Sequence, residues 1–361
     1  RQWQLALTLA QMVEANYSPS DAAEAATLLD DAPSYFADEE GARPAGDGGA
    51  GCKAGRSPPP GPLQTVHYNV LLASLAPARR WQEAIELMER MRKRGIPRET
   101  VTYNSLLNVL EYGGRWKLAM KTLRRMRKED VPPDTITFTS AISACSKQGE
   151  WRTALLLMHM MRSAGVEPNT ITYTAAIAAC ERAGEWKRAL RLLIQMRERG
   201  VEPDQTTFNT AIGACGRAGE YQRALSLRDD MVSAGVEPNV ITYSCLITAH
   251  ANAAPPLVER ARELLAEMEE VHGLTPDLIS HNAHLAALAH TGDAVGAIEK
   301  VDGLHAATGL TPDTISLTTA ISACAEAGAW EEAVELLGQL RASGARLSTL
   351  PYSKTIAALA K

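Results

Sequence analysis

One 35-residue pattern returns along most of this chain, and a chain built that way cannot be divided into ordinary domains by its length. From Thr100 the segments VTYNSLLNVLEYGGRWKLAMKTLRRMRKEDVPPD, ITFTSAISACSKQGEWRTALLLMHMMRSAGVEPN and ITYTAAIAACERAGEWKRALRLLIQMRERGVEPD succeed one another, each preceded by Thr. Trp81, Trp116, Trp151, Trp186 and Trp330 all stand at the seventeenth place of their units, Tyr221 takes it once, and Trp3 matches it in a fragment ahead of the array. Inside a unit, a helical stretch such as TFTSAISACSKQ stops at Gly. A second stretch such as WRTALLLMHMMRSA stops at another Gly, with Pro a few residues on. Both are helix-termination signals. Ala154, Leu155, Met158 and Met161 fall at three-to-four spacing and predict one buried stripe on the second helix. The unit is therefore a helical hairpin that cannot bury both faces alone, so stacked neighbours supply the core.

Eight full units occupy 65–99, 100–134, 135–169, 170–204, 205–239, 240–277, 278–313 and 314–348, and 349–361 opens a further one. Unit 240–277 carries three extra residues, expected around Ala253-Ala254-Pro255-Pro256, and 278–313 carries one near Thr308; both are expected at turns, where insertions cost least. Residues 1–21 read as the second helix of a partial unit. The chain thus begins and ends inside a unit, as a piece of a longer protein would. Residues 22–64 are rich in Gly, Pro and Ala and read as a flexible linker in which only Ala22 to Phe36 could be helical.

The net charge of −5 hides a polarised array. Residues 65–204 hold 23 basic against 15 acidic side chains, a net +8, whereas 205–348 hold 8 against 18, a net −10. Arg124, Arg125, Arg127 and Lys128 lie on a second helix and read equally well as a solvated outer face. Lys147, Arg182 and Arg217 share the thirteenth place of successive units, and are the candidates for phosphate contact along one edge. Cys145, Cys180, Cys215 and Cys324 share the eleventh place, about 10 Å apart between stacked helices, beyond disulfide reach. They read as small buried thiols of a reducing compartment. No apolar run approaches the roughly 18 residues of a membrane span.

A hairpin that opens with an apolar residue, Thr, an aromatic and then Asn, Thr or Ser, and closes with Gly-Val-x-Pro-Asp/Asn, resembles the pentatricopeptide repeat. The resemblance covers 65–361 and the fragment before it, and implies an all-α, right-handed α-solenoid superhelix of stacked helix-turn-helix units. It also implies single-stranded RNA binding in a chloroplast or mitochondrion, one base per repeat, for RNA processing, stability, splicing or translation. In that family the second residue sandwiches a base, which here implies Val66, Val101, Ile136, Ile171, Thr206, Ile241, Ile279 and Ile315, with Thr206 departing from the apolar pattern. The fifth and last residues choose the base. An ionised Asp only accepts hydrogen bonds and suits the ring N–H of uracil or guanine, whereas an Asn amide donates and accepts and suits adenine or cytosine. A short hydroxyl at the fifth place leaves room for a purine, and Asn reaches a smaller pyrimidine.

On that basis Asn104 with Asp134 implies U, Thr139 with Asn169 implies A, and Thr174 with Asp204 implies G. Asn209 with Asn239 implies C or U, Ser244 with Asp277 implies G, and Asn282 with Asp313 implies U. Asn69 with Glu99, and Thr318 with Ser348, are assigned no base. The family's polarity then gives 5′-UAG(C/U)GU-3′. Helix capping alone would explain Asp134, Asn169, Asp204 and Asn239, but not the fifth place, where helix propensity favours Ala. The tryptophans read as packing residues. The competing function is a protein–protein interaction scaffold, for which the acidic second half would suit a basic partner. No enzyme motif, catalytic residue or cofactor is expected. His281, His284 and His290, in SHNAHLAALAHTGD, are the one cluster to weigh as a metal site, and read instead as core substitutions.

Overall fold

The computed structural model describes residues 65–343 and 348–360, with the backbone alone for 305–308. The partial unit 1–21, with Trp3, and the linker 22–64 lie outside the described residues. The rest divides into two compact units, one ending at Ser140 and one beginning at Ala141. In the first, α1 (Thr65–Leu75), α2 (Trp81–Lys93), α3 (Thr100–Tyr112) and α4 (Trp116–Lys128) make two hairpins and lead into α5 (Thr135–Ser146). In the second, α6 (Trp151–Ser163) precedes the hairpins α7 (Thr170–Arg182) with α8 (Trp186–Glu198), and α9 (Gln205–Arg217) with α10 (Tyr221–Ser233). After them come α11 (Val240–Ala251) with α12 (Val258–Glu270), α13 (Leu278–Thr291) with α14 (Ala294–Thr308), α15 (Thr314–Ala327) with α16 (Trp330–Ala342), and α17 (Thr349–Leu359). The described residues hold seventeen helices and no strand.

Each unit is organised by its first helices. Tyr68, Tyr103, Tyr173, Phe208 and Tyr243, at the fourth place of the repeat, are fully or almost fully buried, and the Tyr103 and Tyr243 hydroxyls reach Glu129 and Glu267 on the second-helix side of their own repeats. Beside the aromatic stand small residues, such as Ala176, Ala179 and Cys180 in α7 and Ala211, Ala214 and Cys215 in α9, which let consecutive first helices approach closely. Gly216 marks one such approach: a β-carbon there would come within 2.8 Å of the Cys245 carbonyl oxygen on α11. The second helices cover this layer with one stripe each. In α6 the stripe is Ala154, Leu157, Met158 and Met161, so Leu157 takes the place expected of Leu155, which is only half-buried. The difference is a matter of phase: Leu157 lies one turn before Met161, whereas Leu155 is rotated towards the rim. Cys145, Cys180, Cys215, Cys245 and Cys324 are all free thiols, and burial pushes their pKa values up to about 11 or 12.

Most first and second helices end by the same device, a left-handed residue followed by a backbone N–H that reaches back into the last turn, whereas α11 ends at Asn252 with φ −88°. In α7 this is Gly184 at φ 72°, with Glu185 N–H on the Cys180 carbonyl at 2.9 Å. Arg79 and Asp130 occupy such places with φ of 54° and 52°, so a side chain is tolerated where there is room. At Gly219 there is none, because a β-carbon would come within 2.3 Å of the Asn252 carbonyl oxygen, which Asn252 Nδ2 helps to fix by donating to Gly216 O at 3.0 Å.

The two insertions are absorbed differently from the expectation. Of the three extra residues in 240–277, two widen the turn at 252–257, where Leu257 N–H closes back on His250 O at 3.0 Å, and one follows α12. The extra residue near Thr308 enters no turn: α14 runs for 15 residues where the regular second helices run for 13. A helix extended by half a turn keeps its backbone hydrogen bonds, which an enlarged turn would have to find elsewhere.

His281 and His284 sit on α13 at places held by Tyr173 and Ala176 in α7, and both are buried, with no hydrogen-bond partner for any ring nitrogen. Burial, with Lys300 facing both rings and Arg262 near His284, holds their pKa values down at about 4, against the opposing charge of Asp277 beside His281. An unfolded histidine titrates near 6.5.

Two expectations follow from this packing. Gly235, at φ 74° with open space around it, should accept Ala for about 1 kcal/mol. Gly219→Ala should cost clearly more, since backbone must also move, and urea midpoints compare the two. The second concerns acid. Because the folded pKa values of His281 and His284 lie below the unfolded value, their contribution is intact above about pH 6.5 and is lost as pH falls from there towards 4. Hydrogen exchange, corrected for intrinsic rates, should show α13 losing protection across that window while α7 does not. The double variant His281→Tyr/His284→Ala should remove the difference.

Candidate nucleic-acid interface

The second place of the repeat is the most unusual surface in the molecule. Val66, Val101, Ile136, Ile171, Ile241, Ile279 and Ile315 are all exposed, from 56% for Ile241 to 67% for Ile279, although each begins a helix whose fourth place is buried. Thr206 is exposed as well. Sequence reasoning stopped one residue short of this row: Leu350 on α17 holds the same register and is also exposed. Second and fifth places lie three residues apart on one helix face, so each exposed aliphatic stands beside a candidate selecting side chain.

The last residue of a repeat does cap the next first helix. Asn169, Asp204, Asn239, Asp277 and Asp313 accept the backbone N–H of Thr172, Thr207, Thr242, Ser280 and Ser316 respectively, and Asp134 accepts from Thr137 at 2.8 Å. The fifth places also have structural partners, which the sequence did not reveal. Asn104 donates through Nδ2 to both carboxylate oxygens of Asp134, at 3.1 and 3.0 Å, while its Oδ1 accepts the Thr137 hydroxyl at 2.6 Å. Asn209 repeats this with Asn239 at 3.1 Å and Thr242 at 2.6 Å, and Asn282 with Asp313 at 3.3 Å and Ser316 at 2.6 Å. Thr174 meets Thr207 at 2.6 Å and Ser244 meets Ser280 at 2.8 Å. The fifth and last residues of one repeat and the third of the next therefore form one cluster. Burial pushes the Asp313 carboxyl up, but hydrogen bonds from Ser316 and Asn282 outweigh it and hold the group below its ordinary range.

The two pairs that were assigned no base lack this cluster. Glu99 makes no side-chain cap, and Asn69 Oδ1 and Thr102 Oγ1 are both buried without a partner. Ser348 likewise makes no cap, and the third place that follows it is Pro351, which has no hydroxyl. Thr139 is half-buried and Asn169 accepts the Thr172 hydroxyl at 2.8 Å as well as its N–H.

The basic edge is less uniform than its register suggests. Lys147, Arg182 and Arg217 are all exposed, but Arg217 Nη2 lies 3.1 Å from Glu181 Oε1. Burial raises the pKa of Glu181, against the charges of Arg217 and Arg182. On α4, Arg125 is tied to Glu89 and Glu129, and Arg98 joins Glu129 at 3.0 Å, so Arg125 is a joint between hairpins and not part of a free cationic face. Two of the tryptophans are joints too. Arg115 lies 4.9 Å from the ring centroid of Trp81, and Arg188 lies 4.3 Å from that of Trp151, each cation coming from the following repeat. Among the described residues no three His, Cys, Asp or Glu side chains are grouped to hold a metal, and His290 is engaged with the Ala251 carbonyl at 2.9 Å.

Comparison with known proteins agrees with this geometry. The PPR repeat family model matches residues 63–110, 98–147 and 205–252, the pentatricopeptide repeat domain model 156–218, and the PPR repeat model 136–166 and 315–344. No curated protein sequence matches the chain. Among solved structures it is similar to PPR10 from maize, at 22% identity and a TM-score of 0.45, over 99% of this chain and 57% of that one. It is also similar to PPR10 in complex with an 18-nucleotide psaJ RNA element, at 18% identity and 0.49, over 83% and 53%. The PPR domain of Arabidopsis thaliana protein-only RNase P 1 in complex with tRNA matches at 21% and 0.41, over 51% and 95%. The chain spans little more than half the length of the PPR10 chains it matches. With family models covering more than half of its residues in the places where the hairpins stand, the chain belongs to the pentatricopeptide repeat family.

Proposed function

We propose that this chain binds single-stranded RNA along the exposed edge of its first helices, one base per repeat, with 5′-UAG(C/U)GU-3′ as the preferred sequence. The observation that carries the reading is the row of exposed β-branched residues at the second place, repeated beside a polar pair at the fifth and last. Isolated exposed aliphatics are ordinary on protein surfaces. A row in strict register is not, and flat apolar surfaces spaced by one repeat suit the faces of unstacked bases. The polar pair supplies edges that differ from repeat to repeat, which a scaffold gripping a peptide backbone would not need. PPR10 and the RNase P domain, with which this chain shares its fold class, were solved with RNA, which supports the same reading.

In this reading most of the phosphate attraction lies in residues 65–204, net +8, with Lys147, Arg182 and Arg217 as contacts and Arg217 first released from Glu181. The acidic second half adds base contacts but little electrostatic affinity. Organellar RNA, in a chloroplast or mitochondrion, is the substrate class that the family suggests. Any chemistry on the RNA then comes from a partner or from another part of the protein.

A salt-titrated binding assay with RNA containing UAGCGU, against a scramble of the same composition, tests the reading. Preference for the ordered sequence is expected; equal affinity would remove the base-by-base reading, and no binding to either would favour the protein scaffold. Asn169→Asp should shift preference at the second nucleotide from A to G. Replacing Ile171 and Ile241 by Ser should weaken RNA binding by about tenfold or more, at about 1 kcal/mol or more per lost stacking surface. The urea midpoint should scarcely change, because both side chains are already exposed.

A further inference from the structure

Resting on that reading, we infer that in five repeats the third-place hydroxyl is a positioning residue for base selection in the repeat before it, because it fixes which polar atom the fifth residue turns outward. The residues are Thr137, Thr207, Thr242, Ser280 and Ser316, all buried and none able to reach a base itself.

The direction of each hydrogen bond can be worked out by counting protons. A hydroxyl has one to give. Thr137 Oγ1 accepts the backbone N–H of Asp134 at 3.1 Å, and its own proton lies between Asn104 Oδ1 at 2.6 Å and Asp134 Oδ1 at 2.8 Å. Thr242 repeats this, accepting Asn239 N–H at 3.0 Å and standing 2.6 Å from Asn209 Oδ1 against 3.1 Å from Asn239 Oδ1. Ser316 does so again, at 3.3, 2.6 and 2.9 Å. In all three the amide oxygen is the nearer acceptor. The hydroxyl therefore donates to the fifth-place Asn and holds its amide with oxygen inward and nitrogen towards the last residue. One N–H of that nitrogen is spent on the last residue, and the other is left as an outward donor.

The hydroxyl-bearing fifth places obey the same rule. Thr174 gives its proton to Thr170 O at 2.8 Å, and Ser244 gives its own to Val240 O at 2.8 Å. Their contacts with the third place, Thr207 at 2.6 Å and Ser280 at 2.8 Å, also point inward, and Thr207 and Ser280 lie 2.7 and 2.8 Å from Asp204 Oδ1 and Asp277 Oδ1 as well. These fifth residues keep no donor to offer. Thus a third-place hydroxyl makes Asn an outward N–H donor, suited to a carbonyl such as the O2 shared by uracil and cytosine, and leaves Thr or Ser without one. Without the hydroxyl, an Asn amide can rotate by half a turn and present oxygen or nitrogen. At Asn69 the Thr102 hydroxyl is present but both it and Asn69 Oδ1 are unpartnered, and the last residue there, Glu99, makes no cap, so the hydroxyl orients the amide only where a capping last residue completes the cluster.

The test uses Thr137→Val, which keeps shape and removes the hydroxyl, with Thr137→Ser as the conservative rescue and Thr102→Val as the comparison. In the full chain, affinities are measured for four RNAs that differ only at the nucleotide facing repeat 100–134. Thr137→Val should reduce the pyrimidine-over-purine ratio there severalfold, Thr137→Ser should keep it within about twofold, and Thr102→Val should leave the ratios unchanged. A uniform loss across all four RNAs with the ratio intact would mean a purely structural hydroxyl and would overturn the inference. An arm without RNA separates this failure from that of the binding proposal. In chain labelled with 15N-asparagine, the Asn104 side-chain amide, assigned through Asn104→Ala, should exchange slowly in the wild type and in Thr137→Ser, and faster in Thr137→Val. Unchanged exchange in the valine variant would sink the positioning role whatever the RNA does.

Discussion

Burial between consecutive first helices is the constraint on which everything else in this protein depends. A hairpin of two helices of 13 residues leaves one face of its first helix uncovered, and the small residues on that face leave water only when the next repeat arrives. The requirement is geometric as well as apolar. Alanines, buried thiols and Gly216 set a close approach between neighbouring first helices, and that approach brings the fifth place of one repeat to the third place of the next. A bulkier seam would hold the repeats together but would separate those polar groups beyond hydrogen-bonding distance.

The polar clusters are thus a product of the apolar packing, and they carry two burdens at once. Asp134, Asp204, Asn239, Asp277 and Asp313 satisfy helix N-termini that would otherwise be left unpaired at the joint. The same side chains hold the fifth-place residues or the hydroxyls that orient them. Burial, partial at Asn104, Thr174 and Asn282 and nearly complete at Asn209 and Ser244, strengthens these bonds relative to water and limits the number of arrangements available. Where the last residue is Glu99 the cap is missing and the neighbouring polar atoms go unpaired, so one departure at a repeat end disturbs a cluster spanning two repeats.

The acidic, irregular later repeats keep this scheme under altered chemistry. His281 replaces the aromatic and His284 an alanine, so α13 joins the seam through rings that must stay neutral, yet Asn282, Asp313 and Ser316 still assemble. Insertions were accepted where hydrogen bonds survived them, as a longer α14 or a turn closed on His250. The exposed row of second-place residues continues through both irregular repeats, since it needs only the register of a helix start.

By itself the sequence determined the repeat, its register and its family, because helix stop signals, aromatic spacing and the eleventh-place cysteines are local patterns that recur. The second places that the resemblance assigned to base contact are exposed, and so is Leu350, whose incomplete repeat hid an intact register. What only the tertiary structure decided lies between repeats. Leu157 in place of Leu155, the pairing of Arg217 with Glu181, and the fate of each insertion depend on helix phase and on neighbours. So does the partnership of Asn104 with Thr137, 33 residues away along the chain. A single sequence states which polar groups exist; which of them meet, and therefore which donors remain free, is fixed by the distance at which two packed helices come to rest.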